Sequence, residues 1–133
     1  MAPSERSGLA YSSYALGRWN AADSLFQILF AESPQAYWYL GMLGAIAARR
    51  GDRDSALAVS HMLAEIDAPY ARGVPTAYRA RIAAVLGDQD EAVALLRQSF
   101  EEGRPCCEWT HTDPDMRLLI GYAPYDRFVK PKG

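Results

Sequence analysis

A pattern built on glycine recurs three times along the chain. In each copy a glycine is followed five residues later by an alanine that opens an apolar helical stripe. The pairs are Gly17 with Ala22, Gly51 with Ala56, and Gly87 with Ala92. The glycines are 34 and 36 residues apart, a period typical of helical-repeat arrays, in which a helix pair cannot bury its apolar face alone. The pattern therefore predicts an all-α chain of stacked helix pairs.

Each of these glycines is expected to end one helix, because glycine adopts a left-handed conformation that other residues resist. A short polar turn and an antiparallel second helix should follow. Asn20, Asp52 and Asp88 are candidate N-caps for those second helices, and Asp88 with Glu91 has the spacing of a capping box. A small residue also lies seven positions before each glycine, which predicts close helix crossings there. These small residues are Ala10, Gly44 and Ala80.

In these features the chain resembles the tetratricopeptide repeat family over residues 4–104. The three glycines fall at the turn of the 34-residue pattern, and the three alanines fall at the small position of the second helix. Phe26 and Leu96 fill the large apolar position four residues later, whereas Ser60 stands there in the second repeat. The family's aromatic residue near the start of the first helix is missing at Arg6 and Thr76. The resemblance implies a right-handed solenoid of three helix pairs, with repeats at about 4–34, 35–69 and 73–105.

Local signals place the helices of the second and third repeats. Ser33 followed by Pro34 predicts a helix start, and the apolar spacing predicts helices over 34–50 and 54–66. Residues 67–75 contain two prolines and a glycine and are expected to form a loop. No segment has the alternating pattern of a strand, and the whole chain, 1–133, is expected to form a single domain.

Composition excludes several classes of function. The chain has 14 basic and 16 acidic residues, a net charge of −2, so no overall field favours nucleic acid. No signal peptide and no apolar run of about 20 residues is present, so we expect a cytoplasmic protein without membrane contact. Twelve arginines against two lysines indicate a GC-rich bacterial coding bias. Since Met1 leads almost directly into the first repeat, we expect a piece of a longer protein.

The sequence offers little for catalysis or metal binding. The adjacent Cys106 and Cys107 suit neither a zinc pair nor an ordinary disulfide, and a metal site formed by these residues with His111 is the less favoured interpretation. His61 and Glu65 share a helix face four residues apart, a pair that more often joins a partly buried histidine to a solvent-facing partner. We find no nucleophile elbow, no phosphate-binding glycine loop and no paired carboxylates in an apolar setting. The chain is therefore predicted not to be an enzyme and to need no cofactor.

The segment after the repeats, 109–133, is predicted to be a C-terminal cap. Asp113 and Pro114 indicate a short helix to about Ile120, stopped by Gly121, and a second turn or helix starts at Pro124. An apolar set in this segment is suited to cover the open end of the third repeat: Met116, Leu119, Ile120, Tyr125 and Phe128. The segment also resembles the ends of repeat arrays that follow kinase, cyclase or DNA-binding regulator domains in bacterial multidomain proteins. The residues that carry this resemblance are Thr112, Asp113, Pro114, Leu118, Leu119, Pro124, Phe128 and Lys130 to Gly133.

The family resemblance also implies a concave groove lined by the first helix of each pair. The groove positions carried over from the family are Tyr11, Tyr14, Trp38, Met42, Arg49, Tyr78 and Arg81. Aromatic and arginine side chains are favoured at binding surfaces because they bury large areas and recognise carboxylates. The family's best-known clamp for a terminal carboxylate uses Lys and Asn. Here Asn20 lies in a turn and no Lys precedes Lys130, so that binding mode is not expected.

These observations predict a non-catalytic module that binds a protein or peptide in the groove and forms a regulatory part of a larger protein. Two alternatives remain open. One is self-association as a homodimer through the groove or an exposed end. The other, less favoured, is a ligand-sensing or metal-sensing domain.

Overall fold

The computed structural model describes residues 3–66, 71–103 and 113–129, and all regular structure in these ranges is helical. Six helices form three consecutive antiparallel pairs, followed by a one-turn 3₁₀ helix and a short seventh helix. The elements are α1 (Pro3–Ala15), α2 (Trp19–Glu32), α3 (Tyr37–Arg49), α4 (Arg53–Ala64), α5 (Val74–Leu86), α6 (Gln89–Glu101), the 3₁₀ helix (Met116–Leu119) and α7 (Ala123–Val129). The prediction of an all-α, tetratricopeptide-like stack of helix pairs is confirmed.

The glycine turns form as predicted. Gly17, Gly51 and Gly87 have φ angles of 77°, 78° and 85°, the left-handed region that favours glycine. In each turn the residue after the glycine donates its backbone N–H to the carbonyl five positions earlier, over 2.9 Å in all three cases. This is the 6→1 bond of a Schellman motif, which satisfies a free carbonyl at the helix end. The repeat spacing in the sequence therefore marks a repeated turn in the structure.

The cap predictions are confirmed in part. Asp52 is the N-cap of α4, and its carboxylate accepts from the Ser55 N–H at 3.2 Å. Asp88 is at the N-cap position of α6 but makes no cap bond, because its carboxylate accepts from Arg53 instead, at 2.9 Å. The prediction for Asn20 was wrong: α2 already begins at Trp19, and the Asn20 side chain accepts from Arg50 at 2.5 Å.

Two helix boundaries differ from the sequence-based expectation. Ser33 is the C-cap of α2 and Pro34 lies in the following turn, so the predicted helix start at Ser33 was wrong. Residues 34–36 are used to reverse the chain, and α3 begins only at Tyr37. The predicted loop over 67–75 ends earlier than expected, since α5 begins at Val74. Residues 67–70 lie outside the described part of the chain.

The core runs along the stack as three clusters of buried side chains. The first joins the α1–α2 pair to α3, the second joins α3, α4 and α5, and the third joins α5 and α6 to the C-terminal elements. The predicted close crossings are present: Ala10, Ala22, Ala56, Ala80 and Ala92 are fully buried. A Cβ on Gly44 would come within 2.7 Å of both Ile82 and Val59. Each pair thus depends on its neighbour for burial, as in a repeat array.

Ser60 changes the packing of the second pair. Phe26 and Leu96, which hold the equivalent positions, are fully buried, whereas Ser60 is half-buried and its hydroxyl accepts from Arg79 Nε at 3.3 Å. A cavity of about 250 Å³ beside Ser60 extends to Ile82 and Leu95. The second pair is therefore packed less tightly than the other two at this layer.

The C-terminal elements cover the third pair, as predicted for a cap. Met116, Leu119 and Tyr125 are buried against α5 and α6, and the Phe128 ring stacks on Phe100 at 5.1 Å. The prediction was wrong for Ile120, which is 65 % exposed. The expected helix from Pro114 to Ile120 is only the four-residue 3₁₀ helix, so Ile120 lies past its end and points away from the core. The cap residues 109–112 and 130–133 lie outside the described ranges.

Candidate functional site

Five polar side chains meet on the face formed by α1, α3 and α5, which we call the first-helix face. Asp115 is fully buried, and its Oδ1 accepts from the Tyr14 hydroxyl at 2.5 Å and from Arg49 Nη2 at 2.6 Å. Its Oδ2 lies 3.4 Å from Arg81 Nη1. Arg81 also donates through Nη2 to Asp113 Oδ2. The first-helix face therefore contains a polar cluster, defined here as Tyr14, Arg49, Arg81, Asp113 and Asp115.

Asp113 positions this segment through its second oxygen. Its Oδ1 accepts from the backbone N–H of Asp115 at 2.8 Å and of Met116 at 3.3 Å. These bonds fix the turn that leads into the 3₁₀ helix, because free N–H groups at a helix start are satisfied by a preceding aspartate. The two carboxylates are thereby held on the same side of the turn, facing the two arginines.

Burial governs the ionisation of the polar cluster. Removal from water raises the pKa of Asp115, and Arg81 and the hydrogen bonds from Tyr14 and Arg49 oppose that rise. Burial also raises the pKa of the Tyr14 hydroxyl far above its ordinary value, and the adjacent Asp115 raises it further. Tyr14 therefore remains a proton donor. Burial disfavours the charge on Arg81, but Asp113 and Asp115 outweigh that effect and raise its pKa.

Both arginines also lie over aromatic rings. The Arg49 guanidinium carbon is 5.8 Å from the Tyr14 ring centroid and 5.2 Å from that of Trp19, and the Arg81 guanidinium carbon is 5.1 Å from that of Tyr78. Such cation–π contacts restrict the guanidinium planes while leaving their edges free to donate. The arginines thus have contacts with the helices in addition to their contacts with the carboxylates.

A second part of the first-helix face is aromatic. The hydroxyls of Tyr11 on α1 and Tyr78 on α5 are 3.4 Å apart, so the two side chains meet across α3. This meeting depends on Gly41, since a Cβ there would lie 2.5 Å from the Tyr78 ring. Trp38 lies one turn before Gly41 on the same side of α3, and 39 % of its surface is exposed. We call Tyr11, Trp38 and Tyr78 the aromatic patch.

The structure therefore places six of the seven groove residues predicted from the sequence in two groups, and it buries the seventh. Tyr14, Arg49 and Arg81 converge in the polar cluster, and Tyr11, Trp38 and Tyr78 form the aromatic patch. Met42 is fully buried, and its sulfur accepts from Arg81 Nη1 at 3.6 Å, so its surface is not available in this state. Tyr14 is only 2 % exposed.

Sequence reasoning missed Asp113 and Asp115 as residues of this face. Asp113 was assigned a place at a helix start and in the resemblance of the C-terminal segment, and Asp115 was assigned no role. The two aspartates are 9 % and 0 % exposed. The Asp-Pro-Asp sequence at 113–115 is a visible feature, but no local pattern indicates that these two aspartates lie beside arginines from α3 and α5.

Other candidate sites remain without support. Within residues 3–66, 71–103 and 113–129, no three His, Cys, Asp or Glu side chains are grouped so that they could hold a metal ion. Cys106, Cys107 and His111 lie outside these ranges. His61 and Glu65 are both exposed, so the expectation of a partly buried histidine was wrong. None of the described helices is long and apolar enough to cross a membrane.

Comparison with known protein families gives a match over two segments of the chain. The family model described as tetratricopeptide repeat matches residues 37–61 and 73–98, which correspond to the α3–α4 and α5–α6 pairs. The first pair lies outside the match, and it packs on α3 through α2, as α4 packs on α5. No curated protein and no solved structure matches the chain. The matches at two of the three helix pairs, together with the stacked all-helical fold, support a tetratricopeptide repeat family for this protein.

Proposed function

We propose that this chain is a non-catalytic protein-interaction module that binds an extended segment of a partner protein along its first-helix face. Tetratricopeptide repeats generally mediate contacts between proteins, and the chain's own geometry suits such a role. We further propose that it works in the cytoplasm as a regulatory part of a larger bacterial protein. The arginine-rich composition and the resemblance of its C-terminal segment to the ends of bacterial repeat arrays support this part.

The observation that carries the proposal is the aromatic patch. Its three side chains come from three different helix pairs: Tyr11 of α1 and Tyr78 of α5 meet, and Trp38 lies exposed on α3. Aromatic side chains offer a large contact area with few torsions to restrict, which is why they dominate binding energies at interfaces. Trp38 remains substantially exposed. A partner's apolar side chain can therefore pack on it without opening the fold.

Replacement of Trp38 by alanine tests this role. We expect a peptide selected from a random library on the wild-type chain to bind Trp38→Ala weaker by about 2 kcal/mol or more, because truncation removes a central aromatic contact. Fluorescence anisotropy with the labelled peptide measures the dissociation constant. Circular dichroism checks that the helical content is retained.

Met62→Ala is the matched control. Met62 is 46 % exposed on α4, outside the first-helix face, so its truncation should leave the affinity within about twofold. Equal losses for the two variants would contradict the proposal. So would selected peptides that bind Trp38→Ala as tightly as the wild type.

Self-association is the second candidate, and one observation favours it. Leu9 on α1 and Leu16 in the turn that follows α1 are 46 % and 68 % exposed, so the first helix pair presents two large apolar side chains to solvent. Exposed apolar surfaces often mark interfaces between copies of a chain. Sedimentation equilibrium at several protein concentrations separates this candidate from peptide binding by a monomer.

A further inference from the structure

The polar cluster has the construction of a binding site whose ligand is part of the same chain. Each helix pair supplies one group that contacts a carboxylate: Tyr14 from α1, Arg49 from α3 and Arg81 from α5. The two carboxylates come from a segment that follows all three pairs. A short acidic segment thus contacts all three first helices, which is how an extended ligand uses a repeat array.

The two arginines of this site also contact side chains of the helices, in addition to the carboxylates. The guanidinium groups of Arg49 and Arg81 lie over aromatic rings of the helices, at 5.1 to 5.8 Å from the centroids. Arginine's planar, paired N–H groups match the two oxygens of a carboxylate. The site therefore keeps its preference for acidic groups when the aspartates are replaced by others.

The internal segment fills the site imperfectly. Among the described residues, Asp115 Oδ2 is a buried oxygen that accepts no hydrogen bond, although Arg81 Nη1 is only 3.4 Å away. A buried acceptor without a donor costs free energy. A carboxylate that is free to turn toward Arg81 would avoid this cost. An external acidic segment that makes this hydrogen bond would therefore bind to the site more favourably than the internal segment does.

Release of the two aspartates does not require the cap to leave. The cap is anchored by Met116, Leu119 and Tyr125, which are buried against α5 and α6. These apolar contacts are separate from the contacts that Arg49 and Tyr14 make. Displacement of the two carboxylates would therefore break their contacts with Tyr14 and the arginines, while the apolar contacts of Met116, Leu119 and Tyr125 would remain to hold the cap on the third pair.

We propose that Tyr14, Arg49 and Arg81 form a binding site for an aspartate-containing segment of a partner protein, and that Asp113 and Asp115 occupy this site in the unbound chain as an internal competitor. The inference rests on the proposed function above and specifies the chemistry of the partner: two acidic side chains at Asp-X-Asp spacing. The adjoining aromatic patch would then take an apolar residue of the same segment.

The test uses a fluorescent, end-blocked peptide with the sequence of residues 113–120 and a matched peptide with both aspartates replaced by asparagine. The full-length proteins are the wild type and Asp113→Asn/Asp115→Asn. We expect the acidic peptide to bind the double variant about tenfold tighter than the wild type, because a site filled from within has a reduced apparent affinity. The asparagine peptide should bind neither protein measurably. Binding of the acidic peptide should weaken as salt is raised.

A double variant that is folded by circular dichroism but binds the two peptides equally would overturn the inference. If the double variant does not fold, side-chain NMR on the wild type decides. Millimolar acidic peptide should then shift the Nε–H signals of Arg49 and Arg81, and no shift would count against the site. Dimerisation of the wild type that the acidic peptide abolishes would also count against it, since the natural occupant would be a second copy.

The experiments distinguish failure of this inference from failure of the proposed function. Library-selected peptides that depend on Trp38, yet lose nothing when their aspartates become asparagines, would overturn the acidic specificity alone. If no peptide of any composition binds the first-helix face, both proposals fail.

Discussion

Replacing Ala56 by glutamate should abolish the cooperative unfolding of this protein. Ala56 is fully buried at the crossing of α3 and α4, among Ala48, Val59, Leu63 and Ile82. A carboxylate placed there has no cation and no water within reach, and the resulting cost of several kcal/mol is a large share of a total stability of about 5 to 15 kcal/mol. Thermal unfolding followed by circular dichroism measures the effect.

Ala58→Glu is the matched control, since Ala58 lies in the same helix and is exposed. Its substitution adds the same charge to the same helix and should change stability by no more than about 0.5 kcal/mol. Similar melting of both variants within a few degrees of the wild type would show that the crossing at Ala56 is not closely packed.

Replacing Asp115 by alanine should destabilise the fold by about 3 to 5 kcal/mol, the cost of removing one partner of a buried ion pair. The substitution leaves the Tyr14 hydroxyl and the Arg49 guanidinium, which is 19 % exposed, without their shared acceptor, and it leaves Arg81, which is 14 % exposed, with Asp113 as its remaining carboxylate. The effect should also be long-range, because the lost contacts join the C-terminal segment to the first and second pairs. Urea unfolding at neutral pH gives the free energy of unfolding.

Asp126→Ala serves as the control for Asp115→Ala. Asp126 is exposed in α7, and its carboxylate accepts one hydrogen bond, from the Gly121 N–H at 3.1 Å. Its removal should cost only about 0.5 to 1.5 kcal/mol. If the two variants lose the same free energy, then the polar cluster contributes no more to stability than one exposed hydrogen bond.

Trp38 is a better position than Arg81 for testing binding, because Arg81 belongs to the polar cluster and also supports the fold. Arg81 contacts both aspartates and lies over Tyr78, so its truncation would change the fold and the face together. Trp38 projects from α3 with its rings near Tyr37 and Tyr39. Its loss removes contact area while leaving the polar cluster intact.

Features set by neighbouring residues could be predicted from the sequence. The three glycine turns, the Asp52 cap and the buried alanines at the crossings follow from backbone freedom, cap chemistry and helical periodicity over fewer than about ten residues. The same local rules failed where two signals competed. Ser33 and Pro34 have the form of a helix start, but the turn between α2 and α3 requires those residues.

The sequence by itself determined that this chain is a stack of three glycine-punctuated helix pairs with a cap, because each of those features depends on short-range periodicity. Only the tertiary structure decided what the first-helix face contains. Tyr14 and Asp115 are 101 positions apart in the chain, and Arg49 and Asp115 are 66 apart. Contacts over such separations depend on the path of the C-terminal segment across the stacked pairs. The apolar pattern predicted that Met116, Leu119 and Tyr125 cover the third pair, but no local pattern specifies which residues of the first and second pairs the aspartates before them then meet.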